Sequence, residues 1–158
     1  MKTLIRLSTF FAILIISCSN AFAASSDSSS KSKIKSTDYY LAKDFIEQGK
    51  YTKAIKVLKE LEKESSKDAD VQNYLGFSYR KIGNLDLAAV HYNKALILDP
   101  KHKGALEYQG EMFLTLNQVD KAKQNLEKLD KICFLGCKEM DKLELSIKMK
   151  LKDVKSKY

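Results

Sequence analysis

The chain is poor in the residues that reaction centres and metal sites are built from. Its 158 residues include one proline, six glycines, three cysteines and two histidines. The histidines, His91 and His102, stand eleven apart, which excludes the paired-histidine helix of a zinc hydrolase, and neither has a companion ligand at a metal-binding spacing. The glycines form no phosphate-cradling loop after a strand, and no serine sits within a nucleophile-elbow pattern. No stretch of useful length alternates between apolar and polar residues, which excludes a sheet. The apolar run from Leu7 to Ile16 is too short to span a membrane. With no convergent groups at a recognised spacing and no cofactor motif, the chain reads as a binding protein and not as an enzyme.

What is present begins with that apolar run. Lys2 and Arg6 precede it and Ala21-Phe22-Ala23 follows it, the order of a secretory signal peptide cleaved after Ala23. Ile15-Ile16-Ser17-Cys18 competes as a bacterial lipobox, in which Cys18 would become a lipidated first residue and anchor the chain in the envelope. Ile at position 15, where Leu is usual, favours the soluble, periplasmic form. Cleavage removes 23 of the 158 residues and leaves 135, enough for one domain with a core. It also removes Lys2 and Arg6, lowering the formal net charge from +8 to +6. That excess suits anionic lipid headgroups, cell-wall polymers or acidic proteins, or is a solvated lysine-rich surface. An exported chain seldom meets nucleic acid, so nucleic acid is set aside as a partner.

Residues 24–37, ASSDSSSKSKIKST, hold seven serines and one threonine and read as a disordered linker. Beyond them apolar residues recur with helical spacing. Sliding the chain on itself by 34 residues brings Leu41-Ala42 onto Leu75-Gly76, Phe45 onto Tyr79, Gly49 onto Gly83 and Ala54 onto Ala88. A second step reaches Gly110, Phe113, Asn117 and Ala122, while Leu58, Tyr92 and Leu126 align, as do Leu61, Ala95 and Leu129. Small residues let paired helices approach closely, aromatics fill the gap between them, and Gly49, Gly83 and Asn117 end each first helix in a left-handed turn. Pro100 stops the second helix of the middle unit.

A 34-residue period carrying these residues resembles the tetratricopeptide repeat family. The middle unit matches almost throughout, in Leu75, Gly76, Tyr79, Gly83, Ala88, Tyr92, Ala95 and Pro100. The first unit departs at Ala42, Leu58, Leu61 and Ser66, and the third at Gln109 and Phe134. The resemblance implies an all-α, right-handed solenoid of helical hairpins, three repeats at 35–68, 69–102 and 103–134. Residues 135–158 are then a capping helix and basic tail. Helices are expected near 38–48, 51–64, 69–82, 85–98, 103–116 and 119–131. In the C-terminal segment Met140, Leu143, Ile147, Leu151 and Val154 share one helical face, which suits a cap over the open end of the array. A basic amphipathic helix lying on anionic lipid is the alternative.

Cys133-Phe134-Leu135-Gly136-Cys137 falls where the third repeat lacks its proline. In an exported chain the two cysteines pair as a disulfide stapling the cap to the array, with Gly136 turning the chain between them. A thiol-redox site is the rival, although the three-residue spacing differs from that of thioredoxin-like motifs. The block is also similar to the C-terminal Cys-x-x-Gly-Cys of a group of exported bacterial repeat proteins. The family resemblance further implies a concave wall built from the first helix of each repeat. Here it comprises Ser36, Tyr39, Lys43, Ile46 and Glu47, then Asp70, Asn73, Phe77, Arg80 and Lys81, then Gly104, Glu107, Glu111, Leu114 and Thr115. From it Tyr39, Lys43, Asn73, Phe77, Arg80, Lys81 and Glu111 are the expected contacts for a protein or peptide partner in the envelope, with Phe77 as the aromatic anchor. The Lys and Asn clamp by which repeat proteins grip chaperone C-termini is absent, since Tyr39, Lys43, Tyr74, Gly104 and Tyr108 occupy its positions.

Overall fold

Three left-handed residues punctuate the array where the period placed them: Gly49 at φ 71°, Gly83 at φ 85° and Asn117 at φ 57°. Each separates the two helices of a hairpin in the computed structural model, which describes residues 36–155. The expected signal peptide 1–23, with Cys18, and most of the linker lie outside the described residues, as does the side chain of Val154. The helices are α1 Thr37–Glu47, α2 Tyr51–Glu64, α3 Ala69–Lys81, α4 Leu85–Leu98, α5 Lys103–Thr115, α6 Val119–Ile132 and α7 Lys138–Lys155. No strand occurs among the described residues, and no helix there is long and apolar enough to cross a membrane.

Short polar side chains start several of these helices by accepting orphan backbone N–H groups. Ser36 accepts from Tyr39, Asp68 from Asp70 and Val71, and Asn84 from Leu87. His102 does the same for α5, its ring nitrogen Nδ1 accepting from Ala105 while Nε2 donates to Asp70 Oδ1 at 3.0 Å.

Hairpins α1–α2, α3–α4 and α5–α6 pack in series through the α2–α3 and α4–α5 contacts, and α7 lies on α5 and α6. The result is an all-α solenoid of three hairpins and a cap. One apolar cluster joins the first two hairpins around Leu58, Leu75, Tyr79 and Tyr92, and a second joins the third hairpin to the cap around Leu106, Leu129, Leu143 and Ile147. Phe113 packs against both. The small residues matter here in atomic detail. A Cβ on Gly76 would lie 2.7 Å from Tyr92 Cδ1, and one on Gly110 would lie 2.6 Å from Leu143 Cδ1. The fully buried Tyr92 ring therefore rests against bare backbone of α3, and the cap helix inserts Leu143 over α5 in the same way.

The cap departs from its expected face at the far end. Leu143 and Ile147 are buried and Met140 half-buried, but Leu151 is exposed, because α7 runs past the edge of the array. Residues outside that face are not all polar, since Leu145 and Met149 are apolar and more than half exposed. The Cα atoms of Cys133 and Cys137 lie 5.6 Å apart, a separation that suits a disulfide. Gly136, at φ 82°, turns the chain between them and presents Phe134 and Leu135 to solvent.

Asn117 carries a left-handed turn that glycine adopts freely, and a β-branched side chain would be strained there. Replacing Asn117 by Val should lower unfolding free energy by about 1–2 kcal/mol in urea melts, while Asn117→Gly should match or exceed the wild type.

Candidate partner-binding groove

The first helices of repeats two and three, α3 and α5, form the floor of a groove that α7 walls on one side. Its centre is a short aromatic row: the Phe77 and Tyr108 rings stand 4.7 Å apart between centroids, with Tyr51 edge-on to Phe77 at 6.1 Å. Arg80 reaches over this row, its guanidinium 5.5 Å from the Phe77 ring and 6.0 Å from that of Tyr108, and forms an ion pair with Glu111 at 2.6 Å. Lys81, exposed, places its ammonium 5.4 Å from the centre of the Phe77 ring. A cleft of about 370 Å³ opens here, walled by Leu145 and Ser146 of α7 opposite Phe77, Tyr108 and Lys81. It continues along α7 past Met149 and Lys150, with Arg80 and Glu111 shared between the two parts.

Two carboxylates on α5 differ in surroundings. Glu111 is partly exposed and neutralised by Arg80. Glu107 is buried, and that burial pushes its carboxyl up to about 7 despite Lys142 of α7 at 3.5 Å, which pulls the other way. Burial likewise raises the Tyr108 phenol to about 12, so it stays protonated as a donor throughout the physiological range. With Arg80 and Glu107 each already paired, Lys81 at the rim is left to meet an incoming carboxylate.

The structure brings together four of the seven expected contacts, Phe77, Arg80, Lys81 and Glu111, and separates the other three. Tyr39 is buried, its ring 5.8 Å from that of Tyr74, because α1 packs closely on α3 there. Asn73 is buried as well, since α5 begins directly over it: its Nδ2 lies 3.3 Å from where a Cβ on Gly104 would stand. Lys43 lines neither part of the cleft. Phe77 is half-buried between Tyr51 and Tyr108, not a free-standing anchor. The cleft thus spans repeats two and three and α7, and Tyr108, Lys142, Leu145 and Met149 line it as well. Leu145 and Met149, four residues apart and off the cap face, were the visible signal for that second use of α7.

The remaining polar clusters are structural. His91 Nδ1 donates to Gln72 Oε1 at 2.8 Å, Gln72 Nε2 donates to Glu62 at 3.0 Å, and Lys94 donates to the same Glu62 oxygen at 3.1 Å. Burial holds the His91 imidazole below its usual value, neutral and stacked on Tyr79 at 5.3 Å. Among the described residues no group of three or more His, Cys, Asp and Glu side chains converges to hold a metal ion.

Family models for the tetratricopeptide repeat match residues 37–67 and 69–102. No curated protein matches the sequence. Among solved structures, the second repeat domain of human RPAP3 in complex with an HSP70 peptide is 22% identical, with 70% of this chain and 92% of that one aligned at a TM-score of 0.62. The Yersinia enterocolitica type III secretion chaperone SycD in complex with a peptide of the translocator YopD is 24% identical, with 79% and 98% aligned at 0.63. A tetratricopeptide repeat protein of Parabacteroides merdae is 19% identical, with 73% and 45% aligned at 0.62. At these identities the shared property is the fold.

The Glu107 carboxyl sits above its ordinary value of 4.5 in the folded chain, so it favours folding while protonated and that contribution is lost as pH rises from 4.5 through about 7. Chemical denaturation of wild type and Glu107→Gln across pH 4 to 8 should show the wild type losing stability relative to the variant over that window. Lys142→Met, which removes the nearby cation, should move the loss to lower stability at pH 8 without changing the chain at pH 4.

Proposed function

Over residues 37–67 and 69–102 the chain is a tetratricopeptide repeat protein, and on that premise we propose that it is an exported, non-catalytic interaction module. It holds a peptide segment of an envelope protein in the groove between α3, α5 and α7. The observation that carries this reading is the cleft itself, an aromatic floor of Phe77 and Tyr108 facing Leu145, with an unneutralised Lys81 at the rim. An aliphatic or aromatic residue of the partner fits against that floor, and a neighbouring carboxylate meets Lys81. Two similar solved structures, human RPAP3 in complex with an HSP70 peptide and SycD in complex with a YopD peptide, support a peptide as the kind of partner. The chaperone-tail clamp is missing from this sequence, so a chaperone C-terminus is not supported as the partner.

Export to the periplasm, with Cys133 and Cys137 joined as a structural disulfide, completes the proposal. Burial of Cys133 at the end of α6 favours the staple over an exchange-active thiol.

A photocrosslinking residue placed at 146 in the groove and, in parallel, at 134 in the exposed loop before α7 tests this in intact cells. The groove position should yield a defined envelope adduct that the other does not. Lys81→Glu and Leu145→Glu, both at exposed positions, should each lower its yield about tenfold, the scale of a 1.4 kcal/mol contact. Equal adducts from both positions, insensitive to both substitutions, would place the partner elsewhere.

A further inference from the structure

The outer face of the middle repeat differs from those of its neighbours in a way the groove does not use. Leu87, Val90 and Ile97 of α4 are 38%, 47% and 78% exposed and line one side of the helix. The positions 34 residues earlier are Lys53, Lys56 and Lys63 on α2, and those 34 residues later are Lys121, Gln124 and Lys131 on α6, all exposed. Three hairpins of one design thus present lysine, apolar and lysine-rich rows in succession. Packing does not require this, since the same register is filled by solvated side chains in the repeats on either side. Lys94, the cation nearest the apolar row, is drawn off toward α2 by Glu62 at 3.1 Å. That contact puts α2 on one side of α4, and the order of the hairpins puts α6 on the other, where Leu96 of α4 packs against the same apolar cluster as Leu126 and Ile132 of α6.

We propose that this convex face is a second docking surface, separate from the groove, for an amphipathic helix of a partner protein with an aliphatic stripe and acidic residues along both edges. The stripe would lie along Leu87, Val90 and Ile97. Its acidic edges would face Lys53 and Lys56 on one side, Lys63 being already paired with Glu60 at 2.9 Å, and Lys121 and Lys131 on the other. Charge decides the occupant. Two copies of this chain meeting α4 to α4 would bring lysine rows onto lysine rows, whereas an acid-edged helix neutralises both.

The probe is a synthetic, fluorescein-labelled helical peptide with a leucine stripe and glutamates on both edges, and the control is the same peptide with lysines in place of the glutamates. Anisotropy titrations compare wild type, the triple variant Leu87→Lys/Val90→Lys/Ile97→Lys, and the groove variant Leu145→Glu. The triple variant carries lysines at register positions where the flanking repeats are nearly all lysine. Lys53 and Lys121 sit 5.8 Å and 5.4 Å over Phe45 and Phe113. Should circular dichroism nonetheless show it unfolded, Val90→Gln, the residue of repeat three, carries the test in its place.

The glutamate peptide should bind wild type and Leu145→Glu alike, bind the triple variant at least about tenfold more weakly, and weaken as salt is raised, as exposed charge pairs do. Retained binding by Leu145→Glu separates this surface from the groove. Affinity for the triple variant within about twofold of wild type, equal binding of the lysine peptide, or a dimer in sedimentation that the triple variant abolishes would each overturn the proposal.

Discussion

The fold rests on the approach of one helix to another across a residue with no side chain. Tyr92 lays its ring against the backbone of α3 at Gly76, closer than any Cβ would permit, and Leu143 of the cap does the same to α5 at Gly110. A large side chain seated in such a notch gains its contacts without widening the hairpin. These two contacts also differ in origin. In repeat two the occupant comes from the second helix of the same hairpin. In repeat three, where Leu126 stands at the position of Tyr92, Gly110 is instead covered from α7. The third hairpin is thereby covered by the logic that closes each repeat, with Leu143 and Ile147 of α7 buried against it.

The same docking creates the groove. Once Leu143 seats α7 on α5, the helix periodicity places Leu145 opposite Phe77 and Tyr108, Met149 beside Arg80 and Glu111, and Lys142 beside the buried Glu107. A cap that only solvated the last hairpin would need one apolar face. This one has a second, and its apolar side chains lie along the open trough. Stability and binding therefore share α7, and Glu111 and Lys142 partner the Arg80 and Glu107 side chains that packing has largely removed from water.

Element boundaries were legible in the residues because local chemistry sets them. Gly49, Gly83 and Asn117 stop helices by their backbone conformation, and the 34-residue period fixed which helices pair. The candidate site was legible only in its centre, at Phe77, Arg80, Lys81 and Glu111. Tyr39 and Asn73 lie buried away from the cleft, since position within a helix gives direction and not cover. The rings of Tyr74 and the start of α5 at Gly104 close over them, and such cover depends on how tightly neighbouring repeats approach. The buried chain of Glu62, Gln72 and His91 was hidden for a similar reason, since it joins three helices through residues 10 and 19 apart in sequence.

Thermal unfolding of Gly76→Ala tests the central contact most directly, because two effects of opposite sign compete at one atom. Alanine is the better helix former by about 1 kcal/mol, which alone would raise the melting temperature. The added methyl would stand 2.7 Å from Tyr92 Cδ1 and 3.0 Å from Cγ, near the fixed end of the ring, and must displace it. Overpacking of that kind costs about 1–3 kcal/mol, so a lower melting temperature is expected. A variant that melts above the wild type would show that the helices do not depend on that close approach.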